Sequence, residues 1–195
     1  RVENSTVSSD DVGYFAPTMW QWQTVINDAD LEMNGPVANF RAEAKRLTTK
    51  EGGSIVASAR VKGLVDVPRT HFDINIKEID APTEEITTLL HNIAHININE
   101  KALSYISRTE RISASGRFSG TINDFRAKAD IKVGSGGNVK AECTMRKQGD
   151  KRHFTASTNI GSINLGYLLQ NRNFDTASLT ANAEGDFGGG GFSMQ

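Results

Sequence analysis

An internal repeat is the feature of this sequence that most narrows its choice of fold. Residues 35–44 align with residues 120–129, and five of the ten aligned positions are identical. Further matches are Gly52-Gly53 with Gly136-Gly137, His71-Phe72 with His153-Phe154, and Leu89-Leu90 with Leu168-Leu169. The spacing falls from 85 residues at Gly35 and Gly120 to 82 residues at His71 and His153, which indicates short deletions in turns. Two tandem units, and the start of a third near Leu179, are therefore predicted.

Apolar and polar residues alternate strictly within each unit, which is the period of a β-strand. In residues 54–62 the side chains of Ile55, Ala57, Ala59 and Val61 fall on one face, and serine, arginine and lysine dominate the other. Such alternation is typical of antiparallel sheets with one solvated face. We therefore predict a mainly β fold: an antiparallel curled sheet, a half-barrel or sandwich-like layers from two tandem repeats, with a few short α-helices at edges.

Helical signals are few. Pro82 suits the first turn of a helix, and it is followed by Glu84, Glu85 and apolar residues at helical spacing up to Ile93. Two further short helices are predicted at residues 100–107 and 164–170. Residues 9–11 have the composition of an N-cap before residues 12–22, where Pro17 argues against one continuous helix.

These signals divide the chain into four parts. Residues 1–30 are predicted to be a helical or loop lead-in, and residues 31–111 a first repeat unit with a helical insertion. Residues 112–178 form the second unit, and residues 179–195 begin a truncated third. We expect the chain to be a piece of a larger, internally repetitive β-protein.

The charge is almost balanced, with a net value of −1. A nucleic-acid groove needs a basic stripe, so no nucleic-acid partner is expected. Loose basic clusters at residues 41–46 and 146–152 are interleaved with acidic or polar residues and favour a solvated strand edge or turn. Cys143 is the single cysteine, which excludes an internal disulfide, and its place in the alternation predicts a small buried side chain.

No motif of catalysis stands out in the sequence, and we predict a non-enzymatic protein without cofactor or metal. His91 and His95 have the spacing of ligands on a helix, but the acidic partner and third ligand of a zinc protease are missing. His71 and His153 occupy equivalent repeat positions, so a structural role at a strand start explains both. The adjacent carboxylates Glu84 and Glu85 fit the electrostatics of a helix start.

The apolar faces contain many small residues where a well-filled sandwich would have valine, isoleucine or leucine. Two interpretations stay open from the sequence. These faces pack under the short helices, with alanine making room. Alternatively, a curled sheet keeps its concave face free so that something apolar can lie along it.

Three segments of the chain carry distinctive motifs. Residues 11–17 read Asp-Val-Gly-Tyr-Phe-Ala-Pro, and a Gly-x-x-x-Asn/Asp-Phe strand opening occurs at residues 35–40 and 120–125. Residues 63–73 read as a turn followed by a strand. These segments resemble the TamB family of AsmA-like proteins, in which a segment like residues 11–17 precedes each β-unit and the turn and strand recur. The likeness extends from about Ser8 to Asp186, and its motifs are structural.

The resemblance implies an envelope protein of diderm bacteria, anchored in the inner membrane and crossing the periplasm as a curled β-groove. The resemblance also implies that such a groove conducts phospholipids towards the outer membrane, and that a BamA-type outer-membrane barrel is a partner of the full-length protein. Phospholipid acyl chains would then be the ligand of this segment. The residues expected to face lipid are Ala42, Ala44, Ile55, Ala57, Ala59, Val61, Ala127, Ala129, Ile131, Val139, Ala141 and Ala156.

A second hypothesis is a scaffold that presents strand edges to a nascent outer-membrane protein by β-augmentation. Free edge strands would also permit self-association of the fragment. A sealed apolar face would favour this hypothesis over the groove. A ligand-binding β-domain of a surface protein ranks last, because only two tryptophans and three tyrosines are present.

Overall fold

A computed structural model describes residues 2–8, 25–64, 67–94, 104, 107–134, 137–149, 151–169, 171–173, 175–188 and 191–194. Eleven strands form one antiparallel sheet, in which the order of strands across the sheet is their order along the chain. The sheet is curled and not closed, so the predicted mainly β class is confirmed in its single-sheet form. Each strand therefore pairs with the strands that precede and follow it along the chain, which is a meander.

The strands are β1 (Val2–Ser8), β2 (Val25–Asn34), β3 (Asn39–Thr49), β4 (Ser54–Lys62), β5 (His71–Pro82), β6 (Arg111–Thr121), β7 (Asp124–Val133), β8 (Asn138–Gln148), β9 (Lys151–Asn164), β10 (Thr176–Gly188) and β11 (Gly191–Met194). Helix α1 (Thr83–Ala94) follows β5 and helix α2 (Leu165–Leu169) follows β9. A 3-10 turn, Val67–Arg69, lies between β4 and β5.

The repeat is visible in the order of elements, because four strands and a helix occur twice. Strands β2–β5 with α1 correspond to β6–β9 with α2, and β10 begins the plan again. Gly35 and Gly120 have the same unusual backbone conformation, with φ of +113° and +134°. Both helices lie where residues 82–93 and 164–170 were predicted to be helical, whereas residues 100–107 lie almost wholly outside the described part.

The prediction for residues 1–30 was wrong in one respect. Instead of helix and loop alone, this segment contains β1 and the beginning of β2, which pair with each other. A strand at a sheet edge is stabilised by backbone hydrogen bonds to its neighbour and needs no apolar face of its own, which is why its polar sequence gave little signal. The N-cap and helix considered for residues 9–22 lie outside the described residues.

Irregular pairing bends the sheet. In β3 an extra residue separates Ala44, opposite Ala57, from Leu47, opposite Ile55. A similar register shift lies between Ile76 and Ile79 of β5, and others occur in the β1–β2, β2–β3 and β9–β10 pairs. Because each bulge increases local twist, a row of them gives an open sheet its curvature.

The most buried region lies where α1 meets the strand ends. The Thr83 hydroxyl, at the start of α1, donates a hydrogen bond of 2.6 Å to the Thr109 carbonyl. Thr83 and Thr109 are 2% and 1% exposed. Gly53 lies under the Glu85 carboxylate, and a β-carbon there would lie 2.6 Å from its Oε2 atom. The helix thus closes one end of the sheet.

Replacing Thr83 with valine should lower the free energy of unfolding by about 1–3 kcal/mol, because the buried Thr109 carbonyl loses its hydroxyl donor at almost unchanged volume. Urea denaturation of the purified chain measures this loss. Thr88→Val is the matched control, because its exposed hydroxyl bonds only within the helix, to the Glu84 carbonyl. That control should stay within about 0.5 kcal/mol, and equal losses for both variants would contradict the buried link.

Candidate functional site

The cross-strand register places all the predicted lipid-facing residues on one side of the sheet, named here the apolar face. Ala44 lies opposite Ala57, which lies opposite Ile76. The row continues through Gly116, Ala129 and Ala141. The neighbouring rows bring in the other predicted positions in the same way: Ala42, Ile55, Ala59, Val61, Ala127, Ile131, Val139 and Ala156.

Side-chain size varies across this face in a regular way. Two outer rows carry mostly large residues, which are Phe40, Val61, Phe72, Phe125, Met145 and Phe154 on one side and Leu47, Ile55, Ile79, Ile131, Val139 and Ile160 on the other. In β6 these rows contain the small residues Gly120 and Ala114. The two central rows are rich in alanine and glycine, especially in β3–β4 and β7–β9. Ile74, Ile76 and Phe118 separate these two small-residue regions, so each repeat has its own.

The dimensions follow from strand geometry. Neighbouring rows are two residues apart along a strand, so three such steps separate the two outermost of the four rows. The apolar band is therefore about 20 Å wide along the strands. Across β3–β10 it extends roughly 34 Å at about 4.8 Å per strand. The resulting area, on the order of 700 Å², exceeds the largest apolar patch of a typical monomeric protein.

The described residues leave this face without a second layer. Of the twelve predicted residues, Ala44 and Val61 are buried, at 8% and 6% exposure, and the other ten are half-buried. Helix α1 contacts β5 and β6, and α2 contacts β10. Alanine packed under a helix would be fully buried, so the exposure favours the interpretation in which the face is kept free.

The opposite side, named the outward face, is polar and contains several cross-strand ion pairs. Lys128 Nζ lies 2.6 Å from Glu142 Oε1, and Arg117 lies 3.2 Å from Asp73 Oδ1. Two crevices of about 530 and 740 Å³ open between its long side chains. The larger one is lined mainly by basic and hydroxyl residues, including His71, Arg117, Arg126, Lys128, Thr144 and Arg146.

The potentially reactive side chains are scattered. Cys143 is a free thiol on the apolar face, and it is half-buried where the sequence predicted burial, because no second layer covers its row. His153 lies 2.9 Å from Asp186 and 3.2 Å from Glu184 across β9–β10. Within the described residues, no three His, Cys, Asp or Glu side chains lie close enough to hold a metal ion. His91 is exposed on α1, and His95 lies outside the described residues.

Two features of the apolar face were missed at the level of sequence. Gly116 belongs to the small central row, where a β-carbon would lie 2.6 Å from the Lys128 carbonyl oxygen. The outer row of phenylalanines includes Phe125, whose ring stacks on Phe118 with centroids 5.1 Å apart. The signal was present in the alternation, but only the register assigns the residues to rows.

Comparison with known proteins gives no relative. No family model, no curated protein and no solved structure matches the chain. In the described part of the chain, no helix combines the length and apolar character needed to cross a bilayer.

Proposed function

We propose that this chain is a non-enzymatic segment of a lipid-conducting groove, in which phospholipid acyl chains lie against the apolar face. The observation that carries the proposal is the extent of that face: it is continuous across β3–β10 and half-exposed. An apolar surface of this size is unfavourable in water and stabilises whatever apolar partner covers it, by about 25 cal/mol per Å².

The dimensions of the band support an acyl chain as the occupant. One leaflet of a bilayer has a hydrocarbon depth of roughly 15 Å, so a band about 20 Å wide accommodates the chains of one leaflet. The small residues of the central rows leave room for an acyl chain. The isoleucine and phenylalanine side chains of the outer rows border that room on both sides. A ligand slides along the face only if its contacts are uniform and no polar group holds it at one position.

The resemblance to the TamB family extends the proposal to location and partners. In that setting the segment lies in the periplasm as part of an inner-membrane-anchored protein that carries phospholipid towards the outer membrane. A BamA-type barrel would bind elsewhere on the full-length protein. The half-exposed face supports the groove over the edge-pairing scaffold, which is favoured by a sealed face.

Site-specific photocrosslinking in cells that produce the full-length protein tests the proposal. A photoreactive amino acid replaces Ala57, Ala129 or Ala141, and lipid adducts are quantified by mass spectrometry. Matched controls carry the same amino acid one residue away on the outward face, at Ser58, Lys128 and Glu142. The apolar positions should give at least about tenfold more lipid adduct, because burial of the chains favours that face by several kcal/mol.

Two results would contradict the groove. One is equal lipid capture on the two faces. The other is an absence of lipid adducts at all three alanines while the full-length protein remains functional. Capture of outer-membrane proteins in place of lipid would favour the scaffold hypothesis.

A further inference from the structure

Strand β5 departs from the pattern of its neighbours on the apolar face. Its four side chains on that face, one in each row, are all large: Phe72, Ile74, Ile76 and Ile79. In β3, β4, β7, β8 and β9, by contrast, the two central positions carry alanine, cysteine or threonine. A line of large side chains therefore crosses the apolar band from one outer row to the other, and it is named here the β5 ridge.

The internal repeat shows that the ridge belongs to one strand and not to the general plan. Strand β9 is the repeat equivalent of β5, and its positions equivalent to Ile74 and Ile76 are Ala156 and Thr158. Both pairs lie between large side chains of the outer rows. The same strand of the plan is therefore a ridge in the first repeat and part of a small-residue region in the second.

The ridge is accessible from the apolar face. Its four side chains are half-buried, and so are Ala57 and Ala59 of the neighbouring strand β4. Side chains of a strand stand roughly perpendicular to the sheet, and isoleucine continues for two carbon–carbon bonds beyond the β-carbon at which alanine ends. The two isoleucines of the ridge therefore rise about 2 Å above the alanines beside them.

Phe118 of β6 widens the ridge on the side of the second repeat. It lies opposite Ile74, and its ring stacks on Phe125 of β7 with centroids 5.1 Å apart. In the other central row, Gly116 lies opposite Ile76. The ridge is therefore two strands wide in the row of Phe118 and one strand wide in the row of Gly116.

An acyl chain cannot contact the ridge and the neighbouring alanines equally well. The attraction between apolar atoms falls by a quarter to a half when the gap between them widens by about 0.5–1 Å. A chain that lies on Ile74 and Ile76 is lifted further than that above Ala57 and Ala59. A chain beside the ridge contacts the alanines beneath it and the isoleucines at its side, so it is more stable there.

We propose that the β5 ridge divides the apolar face into two separate phospholipid sites, one in each repeat, and that a single lipid does not bridge them. The first site lies on β3 and β4, and the second lies on β7–β10. This inference rests on the proposed lipid-conducting function, because it specifies where lipid is held on the same face. Contacts are uniform within each site, so a lipid slides there, and crossing the ridge is the step between the sites.

A phospholipid with a photoreactive diazirine in each of its two acyl chains tests the division. The purified chain is loaded with such a phosphatidylethanolamine in dilute detergent and irradiated, and mass spectrometry locates both attachment points of each lipid. Strands β4 and β6 flank the ridge, and β8 and β10 flank its repeat equivalent at the same separation of about 10 Å. Lipids attached to both β8 and β10 should be at least about fivefold more frequent than lipids attached to both β4 and β6.

Two reciprocal pairs of substitutions test the ridge itself. Ile74→Ala with Ile76→Ala removes it, and β4–β6 attachments should rise at least about fivefold. Ala156→Ile with Thr158→Ile builds the equivalent ridge on β9, and β8–β10 attachments should fall by a similar factor. Because the second pair removes no large apolar side chain, it tests the division even if the first pair unfolds the chain.

Matched controls lie on the outward face of the same two strands. Asn75→Ala changes the residue between the two isoleucines of the ridge, and Ser157→Ile changes the residue between Ala156 and Thr158. Both positions are exposed. Neither substitution should alter the frequency of β4–β6 or β8–β10 attachments, and circular dichroism verifies that each variant is folded.

The outcomes separate the division from the groove. Equal frequencies of β4–β6 and β8–β10 attachments in the unaltered chain would overturn the division and leave the groove intact. Frequencies that neither ridge variant changes would do the same. Lipid attached mainly to the outward face would overturn both proposals, because the acyl chains would then lie on the opposite side of the sheet.

Discussion

Gly120→Ala is expected to lower the free energy of unfolding by about 3 kcal/mol or more. Gly120 has a φ of +134°, a conformation that residues with a β-carbon rarely adopt. A β-carbon there would collide with the backbone oxygen of Asp124 and lie 2.6 Å from the Cα atom of Phe125. Both obstacles are backbone atoms of the paired strand, so the β6–β7 hairpin must open to admit the methyl group.

Urea denaturation of the variant measures this loss, and two other glycines calibrate it. Gly149 also has positive φ, +63°, but a β-carbon there meets no atom within 4 Å, so Gly149→Ala should cost only about 1 kcal/mol. Gly35 is the repeat equivalent of Gly120 and has the same kind of obstruction from Asn39. Gly35→Ala should therefore resemble Gly120→Ala. Similar losses at Gly120 and Gly149 would contradict the close approach of β6 and β7.

Within the two repeat units, the alternation was sufficient to predict strands and, outside the bulges, the face of each residue. Ile55, Ala57, Ala59 and Val61 share a face because side chains repeat every two residues along a strand. Once one face is apolar, a one-residue slip would expose the whole set, so the register follows from the same pattern. The helix after Pro82 was predicted for a comparable reason. After Pro82 the apolar residues recur every three or four positions, whereas in the strands they recur every two.

The bulges left a trace in the sequence that is easy to misread. Ala44 and Leu47 lie on the same face although they are three positions apart, and so do Ile76 and Ile79. In sequence this spacing resembles a strand end or the start of a helix. Only pairing with β4 and β6 identifies it as an inserted residue, because a bulge is defined by what lies opposite.

The remaining features depend on contacts between distant parts of the chain. The basic clusters at residues 41–46 and 146–152 each favoured a solvated edge. Local composition does not show that the two clusters lie at the same edge. The meander brings Arg41, Arg60, Arg126 and Arg146 to one edge of the sheet, although they come from four different strands. The choice between a single sheet and a sandwich is also non-local, because both use the same alternating strands.

Introducing an ion pair into the small central row should abolish lipid binding with little loss of stability. Ala129 and Ala141 lie directly opposite each other on β7 and β8, next to the outward pair Lys128 and Glu142. Ala129→Lys with Ala141→Glu repeats that arrangement on the apolar face. Because both positions are half-exposed, water can solvate the new charges, and the free energy of unfolding should change by about 1 kcal/mol or less.

Lipid capture should respond very differently from stability. An acyl chain over the new pair would remove two charges from water, at a cost of several kcal/mol. A photocrosslinker at Ala127, in the adjacent row, should therefore yield at least about tenfold less lipid adduct in the full-length protein. Removing the outward pair with Lys128→Ala and Glu142→Ala should leave adduct formation unchanged. A sealed core would instead lose several kcal/mol of stability on receiving the pair, whereas unchanged lipid capture would place the acyl chains elsewhere.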